Sequence, residues 1–202
     1  MKTFMHFNQQ DINSLIIGTQ SKTRRKLFTE AGLVFQYQSP NINEKKILLE
    51  NKVAQSQQAL CLAGEKALHL SQINKNSVIV CFDTTVHINN RTIFKSNTKK
   101  ECFNVLNLLN GKTHTLYTAC VIIKNKKILW STVEKADITF KNNSKNKIKD
   151  YVNLHFNKIV NSVGCYNIES HGKQIIENIN GSYYAILGVP LVPLYRALRL
   201  NK

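Results

Sequence analysis

Apolar and polar residues change their spacing several times along this chain, and each change marks a predicted element. In the first half, runs of apolar residues or strict alternation predict strands, and a spacing of three to four predicts helices. Strand and helix alternate there, which favours an α/β protein. The predicted strands are Ser14–Gly18, Leu33–Gln38 and Ser77–Phe82, and the predicted helices cover about 19–31 and 46–70.

The second half predicts two hairpins and three further helices. Asn89-Asn90 and Asn125-Lys126 are the predicted turns, because Asn tolerates the positive φ of a tight hairpin. The first hairpin covers Thr85–Phe94, and the second joins strands Thr115–Lys124 and Ile128–Phe140. Helices are predicted at 98–109, 144–156 and 190–200, the first beginning with the capping box of Thr98 and Glu101, and irregular strands at Val163–Ile168 and Gln174–Ile179. We therefore expect one domain over 1–202, a mixed β-sheet flanked by helices, with residues 1–13 as a short extension.

Composition excludes several classes of protein. The chain has 202 residues, of which 43% are hydrophobic, so a disordered tail is excluded. The longest apolar run, near Ala185–Leu194, is shorter than the ~20 residues of a membrane-spanning helix and contains two prolines. The five cysteines show no CxxC spacing and most lie in apolar segments, which favours reduced, buried thiols. We expect a cytoplasmic protein that does not enter a membrane.

The net charge of +16 raises the question of nucleic-acid binding. However, the lysines are scattered and few aromatic residues lie among them, which is more typical of a solvated surface. A basic nucleic-acid-binding module stays an alternative. Because acids are few, with 12 Asp and Glu against 28 Lys and Arg, an acid at the end of an apolar strand stands out, and Asp83 is predicted to lie there.

Two groups of polar residues suggest phosphate chemistry. Thr19, Ser21, Thr23, Arg24 and Arg25 lie where the first helix begins, and a helix N-terminus with Arg side chains suits an anion. The alternative is a capping Ser followed by solvated arginines. The second group is the acids Glu44, Asp83 and Glu169, which could hold a divalent cation and orient water. Their alternatives are a helix cap, a turn-forming Asp and a solvated Glu.

Eight segments in order resemble one family. They are LIIGTQSKTRR, SPNINE, LAGEKA, FDTTV, IFKS, LNGKTHTLYT, VGCYNIE and INGSYYAILGVPL. Their order and separations are similar to those of the Maf family of nucleoside triphosphate pyrophosphatases, over about Leu15–Leu198. SVGCY and AILGVPLVPLYRALR look most like the alphaproteobacterial branch.

The resemblance implies a fold and an activity. The fold would be a bent mixed sheet with two lobes around a central cleft, as in Maf and inosine triphosphatase-like proteins. The enzyme would be a cytosolic homodimer that hydrolyses nucleoside triphosphates to the monophosphate and pyrophosphate with Mg²⁺ or Mn²⁺. A catalytically weak Maf-like binding protein linked to cell-division control is the alternative.

The resemblance also implies roles for particular residues. Asp83 matches the proton acceptor and, with Glu44, the metal-binding acids. Ser21 and Arg24 match the phosphate-binding turn, and Lys66 and Lys95 match lysines that contact the triphosphate.

The chain departs from the family pattern in its combination of specificity residues and at two positions where the family usually has proline. At the specificity positions the chain has Thr23, Thr84 and Glu169, which match neither the dTTP and UTP set (Arg, Thr, Gln) nor the 7-methyl-GTP set (Trp, Gln, Glu). The preferred base therefore stays open. Lys22 and Ser96 stand where the family usually has proline, and the loss of a fixed φ predicts slower turnover.

Overall fold

The computed structural model describes residue 7 and residues 9–198 and has a mixed α/β architecture. The helices are α1 (Gln9–Asn13), α2 (Lys22–Glu30), α3 (Glu44–Asn51), α4 (Gln55–Ile73), α5 (Lys99–Leu109), α6 (Lys145–Ile159), α7 (Tyr183–Ile186) and α8 (Leu191–Leu198). The strands are β1 (Ile16–Gly18), β2 (Gln36–Gln38), β3 (Val78–Ile88), β4 (Arg91–Ile93), β5 (Thr113–Lys124), β6 (Lys127–Phe140) and β7 (Ile176–Gly181). A 3₁₀ helix covers His171–Gln174. The predicted fold class is confirmed.

The strands form one seven-stranded sheet with the order β2-β1-β3-β5-β6-β7, and β4 pairs with β3. β1 pairs in parallel with both β2 and β3, whereas β3–β4 and β6–β7 are antiparallel. The parallel neighbours β1 and β2 are joined through α2, and the antiparallel neighbours β3 and β4 are joined by the tight turn at Asn89-Asn90. β6 and β7 are also antiparallel, although α6 and the 3₁₀ helix lie between them in the chain.

The chain divides into two compact units. The first contains the described residues of 1–83, 118–134 and 188–202, and the second contains 84–117 and 135–187. In the first unit, Phe28 of α2 is fully buried and contacts the rings of Phe35 and Phe82. In the second, α5 and α6 bury apolar faces in one core with residues of β6. The two lobes, the bend and the cleft stay predictions.

Local signals predicted the turns and caps correctly. Asn89 and Asn90 have φ of 48° and 60°, and Asn125 and Lys126 have 50° and 64°, as a type I′ hairpin requires. Thr98 and Glu101 form the complete capping box of α5.

Several element boundaries were wrong. The helix predicted over 46–70 is two helices, α3 and α4, separated at Lys52, whose φ of 48° is left-handed. The segment predicted as strand Val163–Ile168 forms turns, and the strand predicted from Gln174 begins at Ile176 after the 3₁₀ helix. Only Gln36–Gln38 of the strand predicted from Leu33 is extended.

The chain ends add two details. Within the predicted extension, 9–13 form the short helix α1 and Asp11 pairs with Lys124 at 2.7 Å, while 1–6 and 8 lie outside the described residues. The last helix is seen to Leu198, and the predicted end at Leu200 lies outside them too. Among the described helices, none has the length and apolar character that crossing a membrane requires. All five cysteines are free thiols, as predicted; four of them are buried, whereas Cys61 is only half-buried.

Candidate active site

Asp83 lies inside β3 and not at its end, which corrects the sequence prediction. The strand runs from Val78 to Ile88, because the residues after Asp83 include β-branched Thr84, Thr85 and Val86, which favour extended backbone. The strand that does end nearby is β1: its last residue, Gly18, pairs with Cys81. Asp83 therefore extends beyond the carboxyl end of the neighbouring parallel strand, where ligand sites of open α/β sheets occur.

The face of β3 that carries Asp83 is covered by α4. Cys81 and Asp83 share this face, because side chains alternate along a strand. Gly18 of β1 pairs with Cys81 of β3. A Cβ at Gly18 would overlap the Cys81 sulfur and approach Leu70 of α4, so α4 packs closely against both strands here. Lys66 lies one helical turn before Leu70 and therefore faces the same way.

Lys66 joins two carboxylates in the first unit. Its Nζ donates to Asp83 Oδ1, and it lies 2.6 Å from Glu44 Oε1. The side chains of Lys66 and Asp83 are 9% and 6% exposed, whereas that of Glu44 is 34% exposed. Glu44 is the first residue of α3, and Asn43, not Glu44, caps that helix by accepting from Lys46 N at 3.0 Å.

Burial and charge act against each other in this cluster. Burial raises the pKa of Asp83 and Glu44 adds to the increase, while Lys66 and Arg24 oppose it. Burial alone would lower the pKa of Lys66, but Asp83 and Glu44 outweigh it, and that pKa is raised. Asp83 is thus a stronger proton acceptor than an exposed carboxylate, and Lys66 stays charged beside it.

Arg24 is fixed by the backbone of two distant segments. Its Nε donates to Gly188 O at 2.8 Å and its Nη1 donates to Phe82 O at 3.3 Å. Gly188 has a φ of +94°, and a Cβ there would come within 2.7 Å of Arg24 Nε. Only glycine combines this backbone with this close approach. Burial lowers the pKa of Arg24, against the attraction of Asp83 and Glu44, and a guanidinium remains charged at all relevant pH values.

The segment between β1 and α2 has the predicted form of a helix start. Ser21 is the N-cap of α2, and its Oγ accepts from Arg24 N at 3.3 Å. Thr19 Oγ1 accepts from Ser21 N at 3.1 Å. Lys22 is the exposed first residue of the helix, and Thr23 follows, half-buried. Arg25 donates to Thr19 O at 3.0 Å and lies over the Tyr37 ring.

The remaining predicted site residues belong to the second unit. Thr84 follows Asp83 on β3 and is half-buried, while Lys95 and Glu169 are exposed, on the segments after β4 and before the 3₁₀ helix. Ser96 is buried, and its Oγ accepts a hydrogen bond from Cys165 at 3.2 Å. The first unit thus brings together Arg24, Glu44, Lys66 and Asp83. Thr84, Lys95 and Glu169 lie in the second unit.

The donor chemistry of the cluster fits a hard divalent cation. Among the described residues, no group of three or more His, Cys, Asp and Glu could hold a metal ion. However, Glu44 and Asp83 both contact one cation, the Lys66 ammonium, so their oxygens converge on one region. Two carboxylates suffice for Mg²⁺ or Mn²⁺ when waters and substrate phosphates complete the shell.

Sequence reasoning missed two residues that contact predicted site residues, Gly188 in the first unit and Cys165 in the second. Gly188 was noted only as part of ILGVP, and its hydrogen bond to Arg24 spans 164 positions. Cys165 is a reduced, buried thiol, as predicted, but its hydrogen bond to Ser96 was not foreseen. Gly188 stands before Val-Pro, a sequence that is typical of a turn, and this could have indicated its role. Nothing in the sequence indicated the contact of Cys165 with Ser96.

A buried carboxylate, a lysine that pairs with it and a fixed arginine beside a helix start are suited to hydrolysis of a phosphate anhydride. The profile of the family described as Maf-like protein matches residues 14–201. The chain belongs to this family.

Individual relatives agree with the family match. The 7-methyl-GTP pyrophosphatase of Bartonella quintana (strain Toulouse) is 31% identical over 188 residues, which cover 93% of this chain and 95% of that protein. The nucleoside triphosphate pyrophosphatase of Caulobacter vibrioides is 32% identical over 193 residues, covering 94% and 96%. Among solved structures, a HAM1 protein from Coxiella burnetii has a TM-score of 0.45 at 13% identity, covering 64% of this chain and 73% of that one.

Proposed function

We propose that this protein is a nucleoside triphosphate pyrophosphatase that hydrolyses its substrate to the nucleoside monophosphate and pyrophosphate. The observation that carries the proposal is the buried contact between Asp83 and Lys66 beside Arg24, in a chain of the Maf-like family. Relatives named for this activity support it. The task would be housekeeping of the nucleotide pool.

Asp83 is the proposed general base. Its carboxylate accepts a proton from water, whose oxygen attacks the α-phosphorus. The bond between the α-phosphorus and the α,β-bridging oxygen breaks, and pyrophosphate leaves with the electron pair. A raised pKa suits this role, because a more basic carboxylate takes the proton more readily, while the charge of Lys66 opposes the rise in the pKa of Asp83.

The cations of the site neutralise the triphosphate. Lys66 has three N–H donors. Two of them face Asp83 and Glu44, and a phosphate oxygen can accept from the third. Arg24 is held by two carbonyls and needs no rearrangement to present charge, which is the advantage of a preorganised site. The N-terminus of α2 at Ser21 adds backbone donors for an anion, and Lys95 is the proposed contact from the second unit.

Glu44 and Asp83 would hold a divalent cation, Mg²⁺ or Mn²⁺. When bound, the cation polarises phosphate oxygens and favours ionisation of water. The homodimer, the cytoplasmic location and the central cleft remain predictions of the sequence resemblance.

The test of this function is a panel of natural and modified triphosphates, including UTP, dTTP, GTP and 7-methyl-GTP, assayed for pyrophosphate release with Mg²⁺ and with Mn²⁺. We expect pyrophosphate and monophosphate in equal amounts, and loss of activity with EDTA. Triphosphate binding without release would support the weak binding protein instead. DNA affinity that falls steeply with salt, without release, would support the nucleic-acid-binding module.

Glu169→Gln tests how the base is selected. We expect the ratio of kcat/KM for UTP to that for 7-methyl-GTP to rise at least several-fold. A carboxamide can donate to a pyrimidine carbonyl that a carboxylate repels, and a repelled polar group costs ~1 to 3 kcal/mol. Both substrates are measured at one metal concentration, so that altered metal binding affects them alike. An unchanged ratio of the two kcat/KM values would show that Glu169 does not recognise the base.

A further inference from the structure

The segment that carries Lys95 has no regular secondary structure of its own. β4 ends at Ile93 and α5 begins at Lys99. Between them Phe94 is 43% exposed and Lys95 is exposed, whereas Ser96 is only 4% exposed. A serine that is buried directly after an exposed lysine needs a partner for its hydroxyl, because an unsatisfied buried polar group is costly.

That partner is Cys165. Its Sγ donates to Ser96 Oγ at 3.2 Å, across 69 positions of sequence, and Cys165 is fully buried. Cys165 has a φ of 59°, which is uncommon for a residue with a side chain. The turn before it is closed by Cys165 N donating to Ser162 O at 3.2 Å. The backbone of Cys165 is therefore held by its own turn, and its thiol lies in the core and donates to Ser96.

The residues after Ser96 are fixed as well. Asn97 N and Thr98 N donate to Glu101 Oε2 at 2.7 and 3.1 Å. Three consecutive residues after Lys95 thus have defined hydrogen bonds, two to the first turn of α5 and one to Cys165. The backbone directly after Lys95 is therefore held by hydrogen bonds, and this fixes the position from which the Lys95 side chain extends.

We propose that Ser96 and Cys165 are positioning residues that hold Lys95 for its contact with the triphosphate. The inference rests on the proposed function, because Lys95 has its role only if the substrate is a triphosphate. The proposal also changes the prediction for Ser96. The sequence predicted a looser segment because Ser96 lacks the ring of proline. In the structure, the Ser96 hydroxyl accepts a hydrogen bond from Cys165, which a proline side chain could not do.

The test is a double-mutant cycle of Ser96→Ala and Lys95→Ala. Ser96→Ala alone should raise KM about 3-fold or more with little change in kcat, because one hydrogen bond that orders a binding group is lost. In the Lys95→Ala background the same substitution should leave KM unchanged, since it acts only through Lys95. A merely structural effect would be equal in both backgrounds, and that result would overturn the proposal.

Three further variants examine the thiol. Cys165→Ala should reproduce the effect of Ser96→Ala, and Cys165→Ser, which keeps a donor, should restore part of the wild-type KM. Val152→Ala is the control for core packing, because Val152 is buried in the same core as Cys165. It should leave KM unchanged; an equal effect of Val152→Ala would indicate core packing instead. Urea unfolding of each variant confirms that it folds.

The cycle is also measured without turnover, as the Kd of the α,β-methylene analogue of UTP with Mg²⁺. If the wild-type protein binds the analogue but releases no pyrophosphate from any triphosphate, the proposed function fails and the Kd cycle still decides the role of Ser96. If the wild-type enzyme is active and the two substitutions are additive in KM and Kd, only the positioning proposal fails. Absence of both binding and release overturns both.

Discussion

Asp83→Asn should lower kcat for pyrophosphate release by ~100-fold or more while the fold and triphosphate binding persist. The amide has nearly the same shape as the carboxylate, but it cannot accept a proton or carry charge, and loss of a general base typically costs ~10² or more. Lys66 keeps its second acid partner, Glu44, at 2.6 Å. The rate is measured at saturating substrate, with binding and urea unfolding in parallel.

The control is Asp137→Asn, which makes the same chemical change on another strand. Asp137 accepts from Thr115 at 2.6 Å and pairs with Lys135, and we give it no part in the reaction. Its variant should keep the wild-type rate. If Asp83→Asn retains more than about a tenth of that rate, Asp83 is not the base.

Elements whose cause is local could be predicted from the sequence. The two hairpin turns need positive φ at adjacent positions, which Asn supplies. The capping box of α5 is closed within four residues by Thr98 and Glu101. In both cases the residues that determine the structure lie beside one another, so the pattern alone contains the information.

Breaks without a sequence signal were not predicted. Lys52 ends α3 in a left-handed conformation that Gly usually takes, and the continuous apolar spacing around it suggested one helix. The continuity of β3 was also missed: Ser77–Phe82 and the hairpin over Thr85–Phe94 were predicted as separate elements, whereas β3 runs through Asp83 into Val86–Ile88, which pair with β4.

The candidate site shows the same division between local and long-range causes. Residue types and motif order suggested Asp83, Glu44, Lys66 and Arg24 as members. Their arrangement depends on contacts over long separations: Lys66 meets Asp83 across 17 positions, and Arg24 meets Gly188 across 164. Spacing cannot show that Lys66 lies between two acids, and this position gives the residue a second role in stability.

Lys66→Met should therefore affect both stability and activity. The substitution keeps an unbranched side chain but removes the charge, leaving Asp83 buried without its main counter-ion. Breaking a buried ion pair by removing one partner costs ~3 kcal/mol or more of unfolding free energy. We expect a loss of about this size in urea unfolding, and a fall of kcat/KM for triphosphates by roughly tenfold or more from the lost charge-assisted contact.

The double variant Lys66→Met/Asp83→Asn separates the charge effect from packing. If the unpaired carboxylate causes the loss, Asp83→Asn should restore part of the stability in the Lys66→Met background, although it removes activity in every background. Lys135→Met is the matched control: Lys135 pairs with Asp137 at 2.9 Å, but its side chain is 54% exposed, and water screens such pairs. It should change stability little. If the two lysine variants lose the same stability, or if Asp83→Asn restores none, Lys66 does not hold the buried carboxylate.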